Sequence, residues 1–386
     1  MDRSARRPDD ECGIPKPATV TSSTLSTSSR GGEALLPSDS SRADACFAAI
    51  TSGRSYDPDR HLFGRRRFLG GRDYEDLWPF ANAWSAACTL SSLGGSSPAG
   101  SLAASLPDGL AAYHRTHSAA LEGSGPVGFE SVVVPPLGTG GDVFFDDNAW
   151  LALALLGHYA NSHDERALSL SRRLLDFLTT GWSTDPSWSA PGGIRWKVPA
   201  TNTSRNTCSN GPTAEVAALV YQLTGDSAAK DWSLRIYDWA RQALGGPDGL
   251  YFDRIAVDGT VSKDIWSYNQ GTMIGAGVLL HRITAKQTYL DQAVHTATAA
   301  LAHFDLPTLL RQGPAFNAVF FRNLLLLDRT APEDAYRELA RNYGDQMWIQ
   351  HRDPHTGHFT DAAQKLNATA PMVQIYALLA GAAPRP

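Results

Sequence analysis

Apolar residues recur along this chain at helical spacing, and the segments they mark are of two alternating kinds. From Glu165 to Leu178 the side chains of Leu168, Leu174, Leu175, Phe177 and Leu178 share one side while Arg166, Arg172, Arg173 and Asp176 lie elsewhere, the pattern of a helix with one solvent face. The segment Asn148 to Tyr159 (NAWLALALLGHY) is apolar nearly all round and predicts a helix covered on every side. One-sided segments fall near 39–54, 106–120, 164–180, 227–244, 286–303 and 332–348. All-round segments fall near 78–94, 147–160, 212–223, 268–283, 315–328 and 369–382, each boundary good to about four residues. Only Ser131 to Val134 reads as strand, too short to support a sheet. YQLTGDSAAKDWSLRIYDWA from Tyr221 and HRITAKQTYLDQAVHTATA from His281 share a layout of helix end, short turn and new helix, which implies a repeat of about 60 residues.

The pattern predicts an all-α protein of six helical hairpins. Six one-sided helices around six all-round ones cover every apolar face when they close as two concentric rings, an (α/α)6 barrel. An open superhelix of hairpins is the alternative, but it would expose one face of each all-round helix. In the closed form the inner helices run the same way, so their N-terminal ends meet at one rim.

Composition narrows the picture. The 386 residues are 42% hydrophobic, enough for one large core over residues 38–386. Residues 1–37 are rich in Ser, Thr, Arg, Gly and Pro and predict a disordered tail. They lack the apolar stretch of a secretory signal, which by itself points to the cytoplasm. A formal net charge of -5 provides no field for nucleic acid. The longest apolar run, Ala149 to Leu156, is too short to span a membrane. Cys12, Cys46, Cys88 and Cys208 have neither ligand-like nor disulfide-framework spacing, and Pro354 breaks any helix joining His351, His355 and His358, so no metal site is expected.

The residues ahead of the all-round helices carry the chemistry. In order they are Leu77-Trp78-Pro79, Phe144-Phe145-Asp146-Asp147-Asn148, Cys208-Ser209-Asn210-Gly211-Pro212, Trp266-Ser267-Tyr268-Asn269-Gln270-Gly271 and Gly313-Pro314-Ala315-Phe316-Asn317. Aromatic faces, amides and carboxylates gathered at one rim match a sugar chain, whose hydroxyls need donors and acceptors and whose C–H faces stack on rings. Trp196 and Trp266 lie in loops and are the stacking candidates. The adjacent Asp146 and Asp147 stand out. Retaining glycoside hydrolysis needs two carboxyls about 5–5.5 Å apart, one as nucleophile and one as proton donor. At that separation two carboxylates repel by roughly 3 kcal/mol at an effective dielectric of 20, enough to raise one pKa by about two units. The same pair could also serve as a simple N-cap.

The string FFDDNAWLALALL resembles the signature of glycoside hydrolase family 76, the endo-α-1,6-mannanases. LWPFANA at Leu77, GGIRW at Gly192, NTCSNGP at Asn206, YDWARQAL with PDGLYFDRI from Tyr237 to Ile255, WSYNQGTMIGAGVLL at Trp266 and GPAFNAVFFRNL at Gly313 are similar and fall in the same order, over about residues 40–382. The resemblance implies an (α/α)6 barrel, with Asp146 as nucleophile and Asp147 as general acid/base. It also implies that Asp253, Tyr268, Asn269 and Gln270 line the cleft, with Trp196 and Asn210 as further candidates. That family is commonly extracellular.

The expected activity is therefore retaining, endo-acting cleavage of α-1,6-linked mannan polysaccharide or oligosaccharide, without a cofactor. One alternative is a sugar epimerase or isomerase on the same barrel, working through histidine. His158 and His281, however, fall toward the far ends of inner helices, about 16 Å from the rim. Another is a mannan-binding or transglycosylating cell-wall protein that shares the groove.

Overall fold

The computed structural model describes residues 36–53, 55–65, 73–94, 98–116, 121–198, 201–359 and 365–382. Residues 1–35 of the expected tail, Cys12 among them, lie outside that set. The helices in chain order are α1 (Asp39–Thr51), α2 (Leu77–Ser91), α3 (Pro98–Leu110), α4 (Phe145–Ser162), α5 (Glu165–Thr180), α6 (Thr207–Thr224), α7 (Ser227–Leu244), α8 (Ser267–Thr284), α9 (Gln287–His303), α10 (Leu306–Gln312), α11 (Pro314–Asp328), α12 (Asp334–Gln346) and α13 (Lys365–Gly381). Helices α2, α4, α6, α8, α11 and α13 pack each on the next, and α13 packs back on α2. Outside this closed ring α3 lies on α2, α5 on α4, α7 on α6, α9 on α8, and α1 and α12 on α13. The fold is an (α/α)6 barrel, and ring closure settles the choice against an open superhelix.

Burial explains the two kinds of helix. In α8 every residue from Ser267 to Leu280 is buried, whereas α5 buries Leu168, Leu174, Leu175 and Leu178 and turns Arg166 and Arg172 outward. The echo between units is a hairpin turn. Ser162, Thr224 and Thr284, the last residues of α4, α6 and α8, each bond the carbonyl four residues back through the hydroxyl. A left-handed residue follows (His163, Gly225, Ala285), and the next N–H donates to the same hydroxyl. Across the ring, buried Glu215 of α6 accepts from Arg322 and Asn323 of α11.

Side-chain caps occur on outer helices, though not on all of them, since α9 and α12 have none. Outer helices α1, α5 and α7 begin on Ser38, Asp164 and Asp226, whose side chains accept from the first turn. Inner helices α2, α4, α6, α8 and α11 have no side-chain cap bond. Their N-terminal ends meet at one rim, where short antiparallel ladders lead into them: β1 (Tyr56–Asp57) with β2 (Leu62–Arg65) and β3 (Asp73–Tyr74), β4 (Val143–Phe144) with β5 (Lys197–Val198), and β6 (Arg205–Asn206) with β7 (Arg254–Ile255) and β8 (Val261–Ser262).

Three expectations are corrected. The second outer helix runs from Pro98 to Leu110 rather than 106–120, because Pro98 suits a first turn and Pro107 is tolerated within the helix. Helix α6 starts at Thr207, five residues before Pro212, which sits inside it. The run Ser131 to Val134 forms no strand. Its N–H groups go to separate partners, Ser131 to Asp142 and Val134 to Ala112, and Pro135 and Pro136 follow with no N–H for a ladder. Cys46, Cys88 and Cys208 are buried, and none of them forms a disulfide. No described helix is long and apolar enough to cross a membrane.

Candidate active site

The acidic pair lies in the first turn of α4, directly after β4, rather than in the preceding loop. Consecutive helical positions diverge by about 100°, so the two carboxyls face different neighbours. Asp146 turns toward α6, and its Oδ2 accepts from Trp196 Nε1 at 3.2 Å and Cys208 Sγ at 3.5 Å. Its Oδ1 is buried and finds no partner among the described residues. Burial pushes the Asp146 carboxyl up to about 6, opposed by the Trp196 and Cys208 donors and by the first-turn backbone N–H groups. Asp147 is held well above the ordinary carboxylate range, first by burial and then by the negative charges of Asp146 and Asp76. Mutual repulsion, expected from the spacing of the pair, is secondary: desolvation is the larger cause for both acids. Because each charge disfavours the other, the pair gives up its protons in two steps, and between them one carboxyl is ionised while one proton is retained.

Asp253 joins them from the turn before β7. Its carbonyl accepts from Thr207 at the start of α6, and its side chain is 2% exposed. Asp253 Oδ1 and the Asn269 amide nitrogen and oxygen are buried without a well-formed hydrogen bond among the described residues, and the Asn269 amide lies close enough to Asp253 to favour its charged form. Burial raises Asp253 to about 6, assisted by the charges of Asp264 and Asp146 and opposed by Arg254 and the Asn269 amide. Buried polar atoms without such bonds are rare in folded proteins. Here they collect on one side of the acidic pair.

Aromatic rings form another wall. Phe316 packs against Trp78 (5.7 Å between centroids), Trp266 (5.7 Å) and Tyr268 (4.0 Å), and Tyr268 reaches Trp150 at 6.4 Å. Trp266 and Tyr268 thus share one wall through Phe316. Trp196 stands apart against Phe144 at 4.8 Å, with its indole nitrogen turned to Asp146.

Asn210 and Gln270, expected to line the cleft, have their amides engaged by backbone groups of the rim. Asn210 accepts from Ile194 N–H and donates to the carbonyls of Ile194 and Asn206. Gln270 accepts from Tyr251 N–H and donates to the carbonyls of Tyr251 and Trp266. Asn148 does the same with Phe129 and the Phe144 carbonyl, and Asn317 donates to Leu309. Each amide is the fourth residue of its inner helix and clamps the rim loop to it. Both amide protons of Asn210 and of Gln270 are engaged, which leaves neither side chain a donor for a ligand.

Two residues of the site carry no sequence signal: Cys208 as a neighbour of Asp146, and Arg205. Arg205, 0% exposed, donates to the carbonyls of Ala190, Gly192, Ser189 and Ala256 and lies between the rings of Trp188 and Trp239. It pins the loop that carries Trp196. His158 packs against Trp84 and Asp164 near the end of α4, and His281 contacts the Lys286 carbonyl at the end of α8, both at the opposite end from the acids. No group of three or more metal-ligating side chains occurs among the described residues.

The model of glycosyl hydrolase family 76 matches residues 130–361. The chain is 26% identical over 214 residues to the mannan endo-1,6-alpha-mannosidase DCW1 of Candida glabrata, covering 49% of this chain and 47% of that protein. It is 24% identical over 214 residues to the enzyme of the same name from Saccharomyces cerevisiae, with the same shares covered. The chain thus spans about half the length of the curated relatives it matches. Among solved structures it is similar to an inactive variant of the alpha-1,6-mannanase GH76A of Salegentibacter sp. HEL1_6, with two consecutive aspartates replaced by asparagine, in complex with alpha-1,6-mannotriose. The TM-score is 0.74 at 22% identity, covering 89% of this chain and 99% of that one.

Proposed function

Since the chain belongs to glycosyl hydrolase family 76, we propose that it is an endo-acting hydrolase of α-1,6-linked mannan working by double displacement through Asp146 and Asp147. The observation that carries this reading is the acidic pair in the first turn of an inner helix, with Asp146 Oδ2 held by Trp196 and Cys208 and its buried Oδ1 unpartnered among the described residues. The names of the curated relatives, and the solved mannanase inactivated through two consecutive aspartates, support the substrate and the pair.

Asp146 Oδ1 attacks the anomeric carbon while the bond from that carbon to the leaving oxygen breaks, and Asp147 delivers its proton to that oxygen. Asp147, now ionised, takes a proton from water, whose oxygen displaces Asp146 and releases the sugar with its configuration retained. The buried polar atoms of Asp253 and Asn269 accept and donate hydrogen bonds to sugar hydroxyls, and the rings of Trp266 and Tyr268 stack on pyranose faces.

Incubation with linear α-1,6-mannan tests the reading. Shorter oligosaccharides whose new reducing ends are first seen as the α anomer by NMR are expected, and a sugar acceptor in a parallel reaction reports any transfer. Asp146→Asn and Asp147→Asn should each lower turnover by about 10³-fold. Near-normal turnover in both variants would overturn it.

A further inference from the structure

Position two of an inner helix faces the rim, and in the neighbouring helices α4 and α6 it is held by Asp146 and Cys208. Their side chains meet at 3.5 Å. The second donor to the same oxygen, Trp196 Nε1, arrives from the strand beside β4. Phe145 N–H donates to the Trp196 carbonyl and Trp196 N–H to the Ser204 carbonyl, both at 2.9 Å. Two further anchors fix that strand: the Asn210 amide on both backbone groups of Ile194, and the Arg205 guanidinium on the carbonyls of Ser189, Ala190 and Gly192. Cys208 is 2% exposed within the first turn of α6. Neither donor can drift without disturbing a backbone ladder or a helix.

We infer that Trp196 and Cys208 are positioning residues for the reaction: together they occupy Asp146 Oδ2, so that Oδ1 alone is presented to the sugar. This rests on the reading of Asp146 as nucleophile. A carboxylate in an apolar rim could otherwise rotate about its terminal torsion, which is broad and roughly two-fold. Two N–H and S–H donors on one oxygen remove that freedom and stabilise the charged form. They act in the same sense on titration, since both oppose the burial that lifts Asp146. The assignment also gives Trp196 a role other than a stacking platform.

The test is the acidic limb of the kcat/KM profile on α-1,6-mannan, which reports ionisation of the nucleophile in the free enzyme. Loss of the indole donor in Trp196→Phe should move that limb up by about one pH unit and lower kcat roughly tenfold. Cys208→Ala should move it up by about half a unit, sulfur being the weaker donor. Cys208→Ser, which keeps a hydroxyl donor, should bring the limb back toward the wild-type position. A purely structural role would lower activity evenly across pH and would not be rescued by serine. Melting temperatures measured alongside show whether each variant is folded. If Asp146→Asn is inactive while the limb stays fixed in Trp196→Phe and Cys208→Ala, this inference is overturned and the catalytic pair stands. If Asp146→Asn keeps its turnover, the reading of the pair itself fails.

Discussion

Asp253 offers the most direct measurement of what the site does to the stability of the barrel. It is 2% exposed with one oxygen lacking a well-formed hydrogen bond, and its pKa is raised from 3.8 to about 6. The folded protein therefore holds this proton more tightly than the unfolded chain does. Below pH 3.8 both states carry the proton and nothing is lost. As the pH rises toward 6 the unfolded chain has released it and the folded one has not, so stability falls; above about 7 the loss is complete and constant. A shift of about two units corresponds to about 3 kcal/mol, of which roughly 2 kcal/mol develops between pH 4.5 and 7.5.

Asp253→Asn keeps the shape and removes the titration. The variant should gain on the wild type as the pH rises, by about 4 °C in Tm between pH 4.5 and 7.5 at roughly 2 °C per kcal/mol for a domain this large. Thermal unfolding of both proteins at three or four pH values measures it. Turnover should fall in the same variant, because the carboxylate that destabilises the empty barrel is the one proposed to hold a sugar hydroxyl. A Tm gap that does not change with pH, or that narrows as pH rises, would refute both the burial argument and its sign.

Two further variants probe the scaffold beneath the site. Asn148→Leu removes the acceptor for Phe129 N–H and the donors for the Phe129 and Phe144 carbonyls; the two buried backbone groups of Phe129 are orphaned, and denaturant unfolding should show a loss of about 2–4 kcal/mol. Arg205→Met removes a donor from the carbonyls of Ser189, Ala190, Gly192 and Ala256, of which Ala190 keeps the Trp239 indole and Ala256 the Gly259 N–H. That variant should lose about 3–5 kcal/mol and admit protease cleavage between residues 183 and 198, with kcat falling as the Trp196 loop loosens.

The alternation of helices was legible because burial alone sets it: a helix surrounded by neighbours must be apolar all round, and one facing water need not be. Starts of helices were less legible where two signals compete. Pro212 resembles a first-turn residue, yet α6 begins five residues earlier because β6 ends at Asn206 and the Asn210 amide ties the new turn to Ile194. That shift carried Asn210 from the rim into a clamp. Contacts such as Trp196 and Cys208 on Asp146 join residues 50 and 62 positions apart, and no local spacing reports them.

The repeat nevertheless held a way to separate scaffold from chemistry. Aligned on their first residues, α4, α6, α8 and α11 read FDDN, TCSN, SYNQ and PAFN. The fourth position is an amide in all four of these units, followed by Gly or Ala, whereas α2 and α13 carry Phe80 and Ala368 there; in α4, α6 and α8 the amide closes on both backbone groups of one rim residue. A residue kept through four units whose rims otherwise differ answers a need those units share, the attachment of a loop to an uncapped helix. Positions two and three change from acids to thiol and hydroxyl, to phenol and amide, to methyl and phenyl, because each unit offers the cleft something different. The carboxyl pair occurs in one unit only, and that asymmetry within a repeating frame marks Asp146 and Asp147 as serving a reaction rather than the barrel.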